Sequence, residues 1–302
     1  MRGLVTWLRW TADTGQRQLA AHMRNAQHLE NSIEAMEQPS YWTITEAPCT
    51  GASTEQMSIL YTRYDLARRY AAGRHVLEVA CGAGVGLGLI AGTAKSVAGG
   101  DIDSRNCETA QSTYQGRQGI TIQELDAQAL PFKTGSLGLV ILFEAVYYLQ
   151  DPNAFFSETV RVLDSGGVLL ISSVNPQWAG FNPSPFSTRY FSAAELAVLL
   201  RAHGFEAEVH AAFREEKDGL AAAAVQALKV AAVKLHLIPK TMRGKELLKR
   251  IFFGRLTPIP QELTPGIASL ESLVRIEEVG DLTKYKMIYA VARRSRKPED
   301  LH

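Results

Sequence analysis

The chain is short of several things, and each shortage narrows what it can be. It has three cysteines, Cys49, Cys81 and Cys107, in 302 residues. An odd, sparse set with no CxxC pair supports neither a disulfide framework nor a zinc site. A reducing, cytoplasmic setting is the expectation. No apolar run reaches the roughly 18 residues a membrane-spanning helix needs. The N-terminus meets Arg9 and a polar stretch before any apolar core of a signal peptide forms, so none is expected. Net charge of one sign is also missing: 32 Lys+Arg stand against 31 Asp+Glu. That balance gives no global pull toward nucleic acid or membrane, and no nucleic-acid partner is expected. The histidines His75, His203, His210 and His236 are scattered, without the helical spacing of a metal pair, so no metal is expected.

What remains is apolar material: 46% of residues, enough for one large core. From Val76 onward it falls into short apolar runs separated by helical stretches. Strands are expected at 76–80, 96–101, 120–125, 137–143, 166–174, 205–213 and 284–294. Helices are expected at 54–72, with Thr54 as N-cap, from the end of a glycine-rich turn at 82–88 to about Thr93, and at 104–114, 152–163 and 192–203. Ser192 with Glu195 forms a capping box. The run Leu137–Phe143 is continuously apolar, as a strand covered on both faces should be. Such alternation predicts an α/β fold, a doubly wound, mostly parallel seven-stranded sheet. The expected organisation is a helical cap or lid at 1–72, a ligand-binding core at 73–213, a helical basic insertion at 214–283, and a last strand with tail at 284–302.

The most informative segment is Val76–Gly86, VLEVACGAGVG. A strand carrying an acid, Glu78, runs into Gly82-x-Gly84-x-Gly86. Glycines suit a backbone that turns sharply against a ligand, because a Cβ would collide there. A dinucleotide fingerprint would read GxGxxG, but the third position holds Leu87. A carboxylate four residues before the turn would repel a pyrophosphate and attract an ammonium group. An NAD-dependent oxidoreductase is therefore disfavoured.

With these residues in place, 76–175 resembles the class I S-adenosylmethionine-dependent methyltransferases, within them the group called type 11. The resemblance implies a Rossmann-like methyltransferase fold and S-adenosyl-L-methionine as cofactor, with S-adenosyl-L-homocysteine as product. Its first motif stands here as Glu78, Ala80, Cys81, Gly82, Gly84 and Gly86, with Ala80 where glycine is usual. Its second implies that Asp101 accepts the ribose hydroxyls and Ile102 lies on the adenine ring. Its adenine motif is LDAQALPF, with Asp126 accepting from the exocyclic amine and the Ala127 amide facing the ring. Gly138 replaces a usual aspartate, which bears on local rigidity. Phe143 and Glu144 fall at the methionine end of the donor, and Tyr147 and Tyr148 at the mouth of the acceptor pocket. Many relatives have histidine where Tyr148 stands.

Three further groups of residues are candidates. Arg63 and Tyr64, on the helix before the first strand, are placed to reach the donor's carboxylate. Glu144, Tyr147 and Tyr148 are the catalytic candidates, orienting or deprotonating the acceptor; the alternative is that both tyrosines pack under the next helix with wet hydroxyls. Phe186, Arg189 and Tyr190 follow strand five, where the resemblance places the acceptor-side loop, and its aromatic and proline content suits a shaped pocket.

Residues 229–255 hold eight cations and one acid. They read as a solvated helix face, as a site for an anionic or lipid-linked acceptor, or as a membrane-surface patch. The expected function is methylation, on oxygen, of a small-molecule or sugar/glycan-like acceptor in biosynthesis. The alternatives are a lipid or quinone methyltransferase at a membrane surface and a non-catalytic S-adenosylmethionine-binding regulatory module. The composition is compatible with a homo-oligomer.

Overall fold

The computed structural model describes residues 40–215 and 256–295. The expected cap helix before residue 40 and the basic stretch 229–255 lie outside them, as do His236 and the helical stretches expected in the insertion.

The compact unit carrying the sheet begins at Trp42. Its elements in chain order are β1 (Gly51–Ala52), α1 (Thr54–Ala71), β2 (His75–Val79), α2 (Leu87–Ala91), β3 (Ser96–Asp101), α3 (Ser104–Thr113), β4 (Ile120–Glu124), β5 (Leu137–Phe143), α4 (Pro152–Val162), β6 (Leu163–Val174), α5 (Ala193–Ala202), β7 (Phe205–Arg214), β8 (Thr257–Pro258), β9 (Val274–Arg275) and β10 (Tyr285–Arg294). The main sheet runs β4-β3-β2-β5-β6-β10-β7-β9. Strands β2 to β6 are parallel, while β10 is antiparallel to β6 and to β7. Seven of these strands are the expected ones. The eighth, β9, is a two-residue edge strand on His210 and Ala211, too short to carry a period in the sequence. Every residue of β5 is buried, which is what its unbroken apolar run requires of a strand covered on both faces.

Helix α1 forms because its ends are satisfied. The N-cap is Ser53, not Thr54: the Ser53 hydroxyl accepts from the Gln56 amide, and Gln56 reaches back to the Ser53 amide. Glu55 opens the helix and Arg68 and Arg69 close it, both paired to Asp65. The helix lays Met57, Leu60, Tyr61, Tyr64 and Ala67 into the core cluster shared with Leu87, Ile90 and Phe143. The helix after the glycine-rich turn begins at Leu87, within the span expected for the turn, and ends at Ala91, so α2 is short.

Two local replacements tie this frame together. Where the resemblance expects an aspartate, Gly138 leaves room for the Arg74 side chain, and Arg74 Nη1 donates to the Gly138 carbonyl at 3.0 Å. The proline-rich segment after residue 256 folds back on the glycine-rich turn: Leu263 donates to the Val85 carbonyl at 2.8 Å, with Ile259 and Leu263 buried.

Candidate functional site

Strand β2 ends by forcing its chain into left-handed backbone. Ala80 has φ +54° and Gly84 φ +74°. A Cβ on Gly84 would stand 2.8 Å from the Ala110 Cβ, so this turn admits no larger residue. Gly86 is needed for a different reason: its Cβ would sit 2.0 Å from the Tyr64 ring. The ring of Tyr64 therefore lies directly on the turn. Its hydroxyl donates to Glu78 Oε1 at 2.6 Å, and its edge meets the Phe143 ring at 5.5 Å.

Around that ring lies a cluster of buried charge. Glu78 is 1% exposed, and its second oxygen, Oε2, has no partner. Burial pushes its carboxyl up to about 7, against the lowering influence of the Tyr64 hydroxyl and Arg63. Arg63 is equally enclosed. It pairs with Glu46, while its Nε and Nη1 have no partner. Burial works to lower the Arg63 pKa; Glu46, then Tyr64 and Glu144, hold it raised. Glu144, just past β5, is half-buried with φ +52°. It accepts from the Ser172 hydroxyl at 3.1 Å and the Tyr147 hydroxyl at 3.3 Å. Burial raises its carboxyl, and Arg63 opposes the rise.

Asp101 closes β3. Oδ2 accepts from the Gly82 amide at 2.8 Å; Oδ1 accepts from the Asp103 amide at 2.9 Å and Asn106 Nδ2 at 3.1 Å. The capping of α3 falls to Asp103 instead. A carboxylate has about four lone-pair directions, so Asp101 keeps acceptor capacity on Oδ2. Ile102 is 44% exposed, an apolar side chain in the open beside it. Asp126 is exposed and turned onto Gln128, whose amide donates to it at 2.8 Å, with Ala127 half-buried next to it. Cys81 is buried under the turn and its thiol is pushed well above its ordinary range by burial, so it is inert filler.

The opposite rim is aromatic. Tyr147 is buried, stacked on Tyr190 at 4.3 Å and edge-on to Tyr148 at 4.5 Å; Phe181 meets Tyr190 at 4.7 Å. The Tyr148 hydroxyl pairs with Ser184 Oγ at 3.0 Å. Neither tyrosine hydroxyl is left to solvent. Phe186 is half-buried, whereas Arg189 pairs with Glu195 and lies over Phe191, on the outer surface.

The structure thus brings Arg63, Tyr64, Glu78, Phe143, Glu144 and Tyr147 together and leaves Asp126 and Arg189 facing outward. Four participants had no sequence signal: Glu46, a loop acid; Ser172, a small residue in an apolar strand; Asn106; and Tyr289, paired across β6 and β10 with Ser172 and buried with its hydroxyl unpartnered. Only the register of β6 on β5 and β10 places Ser172 and Tyr289 beside Glu144.

The vacant hydrogen-bonding capacity fits a particular kind of molecule. A buried carboxylate oxygen suits an ammonium, a buried guanidinium edge suits a carboxylate, Asp101 suits hydroxyls, and Ile102 suits a flat ring. An amino acid joined to a nucleoside carries all four, and S-adenosylmethionine is one.

Comparisons with known proteins agree. Residues 77–171 match the methyltransferase domain model of the type 11 group. A probable S-adenosylmethionine-dependent methyltransferase of Mycolicibacterium smegmatis is 35% identical over 185 residues, 59% of this chain and 65% of that protein. A phthiotriol/phenolphthiotriol dimycocerosates methyltransferase of Mycobacterium ulcerans is 33% identical over 106 residues, 34% of this chain and 39% of that protein. The chain thus spans less than two thirds of the length of either relative. A solved S-adenosylmethionine-dependent methyltransferase of Thermotoga maritima shares the fold with a TM-score of 0.51 at 15% identity, over 79% of this chain and 90% of that one. Residues 77–171 thus match a methyltransferase domain, and the chain is similar in sequence to S-adenosylmethionine-dependent methyltransferases and shares the fold of a solved one.

Proposed function

We propose that the chain methylates an oxygen of a small-molecule or sugar-like acceptor. The observation that carries this reading is Glu144: a carboxyl held in left-handed backbone at the end of β5, half-buried, its proton affinity raised, between the donor cluster and the tyrosines. When bound, S-adenosylmethionine supplies a methyl group on a positively charged sulfur, already activated for displacement. The protein's part is alignment and one proton. Glu78 holds the ammonium and Arg63 the carboxylate, while Asp101 binds the ribose hydroxyls. Glu144 takes the acceptor's proton, held in place by Ser172 and Tyr147. An oxygen acceptor needs such a base because its own pKa is high.

A lipid-like acceptor is the second reading. It rests on the Mycobacterium ulcerans relative, whose name specifies phthiotriol/phenolphthiotriol dimycocerosates, and on the basic composition of 229–255. A pure binding module is the third.

Calorimetric titration with S-adenosylmethionine, S-adenosylhomocysteine and NAD tests the base of all three. Micromolar binding of the first two and not of NAD is expected, with a loss of about 100-fold or more in Asp101→Ala, where a carboxylate hydrogen-bonded to the ligand is removed. Asp101→Asn keeps one acceptor for the Gly82 amide and controls for a collapsed turn. No binding of either methyl-cycle ligand by folded protein ends the donor reading. Formation of S-adenosylhomocysteine with any acceptor removes the pure binder.

A further inference from the structure

Residues 42–46 form a strap across the donor site. The Trp42 amide donates to Asp103 Oδ2 at 3.0 Å, and Asn106 Nδ2 donates to Thr45 Oγ1 at 3.2 Å. Asn106 is the same residue that holds Asp101. One position further, the Glu46 carboxylate pairs with Arg63. The two partners differ sharply in exposure: the Arg63 side chain is 6% exposed and that of Glu46 40%. Arg63 cannot turn to water, but Glu46 can.

Charge around Arg63 limits how it can be used. Glu46 and Glu144 already act on the one guanidinium, and Arg63 acts in turn on the Glu78 carboxyl. A further carboxylate brought into that enclosed space would meet net repulsion. Yet donors on Nε and Nη1 are buried without a partner, and both guanidinium edges that can hold a carboxylate in bidentate fashion, Nε with Nη2 and Nη1 with Nη2, include the Nη2 that Glu46 engages. Both conditions are met if one carboxylate leaves as another arrives, and the exposed one is Glu46.

We propose that Glu46 stands in for the donor's carboxylate in the free protein, so that ligand entry is a carboxylate exchange at Arg63 that also loosens the 42–46 strap. This inference rests on the donor reading above. It makes Glu46 a specificity determinant: the site opens at little cost only to ligands that bring a carboxylate of their own. A nucleoside thioether without the amino-acid portion leaves Glu46 where it is and gains nothing at Arg63. In the free protein, the Glu46 contact lowers apparent affinity in the manner of any closed state that competes with the open one.

The test is calorimetric titration of the wild type, Glu46→Gln and Glu46→Asp with S-adenosylmethionine, S-adenosylhomocysteine and 5′-methylthioadenosine. Glu46→Gln removes the competing charge and should tighten the first two by about tenfold while changing the third less than about twofold. Glu46→Asp keeps the charge at shorter reach and should fall between; thermal melting establishes that each variant is folded. Unchanged or weaker S-adenosylmethionine binding in Glu46→Gln overturns the exchange and leaves the donor site standing. An equal change for 5′-methylthioadenosine also overturns it, since the effect then does not pass through a ligand carboxylate. If no ligand binds any variant, the donor reading and this inference fall together.

Discussion

The two sides of the site are built on opposite terms. On the side formed by β2, β3, α1 and α3, buried polar atoms are left over: Arg63 Nε and Nη1, Glu78 Oε2, Asn106 Oδ1. On the side formed by residues 146–148 and 181–190, polar side chains are answered within the protein: Tyr147 by Glu144, Tyr148 by Ser184, Arg189 by Glu195. A buried unsatisfied group costs on the order of 1–3 kcal/mol, so the first side is unfavourable unless something completes it. The second side costs nothing when empty. A site for one obligatory ligand can carry unmet demands, because that ligand meets them at every turnover. A surface for a ligand that comes and goes as product is better closed on itself, with shape supplied by aromatic rings.

Glu144 sits on the boundary, and replacing it is the strongest way to break the comparison. If it serves the acceptor side, Glu144→Gln should lower kcat by about 10²- to 10⁴-fold with the donor Kd little changed. Tyr148→Phe, losing one hydroxyl pair with Ser184, should stay within about threefold. Stopped-time assays of S-adenosylhomocysteine, paired with donor titrations, read both. A Glu144→Gln variant that loses donor affinity instead would move the residue to the donor side and leave the acceptor without a base.

Much of the donor side was legible from residues alone. Val76–Gly86 announces a strand, an acid and a tight turn, and each lands as read; Asp101 ends β3 as its position after the apolar run implied. The run of β5 was legible because burial on both faces leaves no other composition. The acceptor side was not. Tyr147 and Tyr148 were visible as candidates, but whether their hydroxyls met solvent or Glu144 and Ser184 depends on how the 181–190 loop returns. Arg189 looked like an acceptor contact and pairs outward with Glu195, because the capping box at Ser192 puts that acid within reach. Glu46 and Tyr289 meet the site through long-range register, which has no local pattern. The N-cap of α1 moved from Thr54 to Ser53 for a smaller reason: two hydroxyl residues stand side by side, and Gln56 selects the one three residues before it.

The next effect concerns Glu78 and pH, and it sharpens what an unmet demand means. Its ordinary value is 4.5 and its value in the fold is about 7. A carboxyl raised on folding binds its proton more tightly in the native than in the unfolded chain. Its contribution is therefore full below about pH 4.5 and is lost as pH rises through about 7, an order of about 3 kcal/mol across that window. The melting temperature of the free protein should fall between pH 5 and pH 8, and Glu78→Gln should flatten that fall. Donor binding runs the other way, since an ammonium wants the ionised carboxylate. Affinity should rise about tenfold from pH 6 to pH 8, with a proton released that the buffer's ionisation heat reveals. A pH-independent Kd would mean that Glu78 does not face the ligand.

The smallest effect separates the two sides most cleanly. The adjacent parallel strands β2 and β5 both end in a left-handed residue that is not glycine, Ala80 at φ +54° and Glu144 at φ +52°. Each conformation costs about 1–2 kcal/mol relative to ordinary backbone. At Glu144 the side chain justifies the strain, since it alone bridges Ser172 and Tyr147. At Ala80 the side chain is a single methyl group resting against the core cluster, in a position where the family resemblance expects glycine. Ala80→Gly removes the strain but returns about 0.5–1 kcal/mol to the unfolded chain through greater freedom. The net change should be a gain of a few tenths of a kcal/mol, read as a small rise in the denaturation midpoint at constant slope, with donor affinity unaltered. A loss above about 1 kcal/mol would show that the Ala80 methyl group packs to real effect. The strained ends of β2 and β5 would then both be held for their side chains, and backbone strain would no longer mark Glu144 as the functional one of the pair.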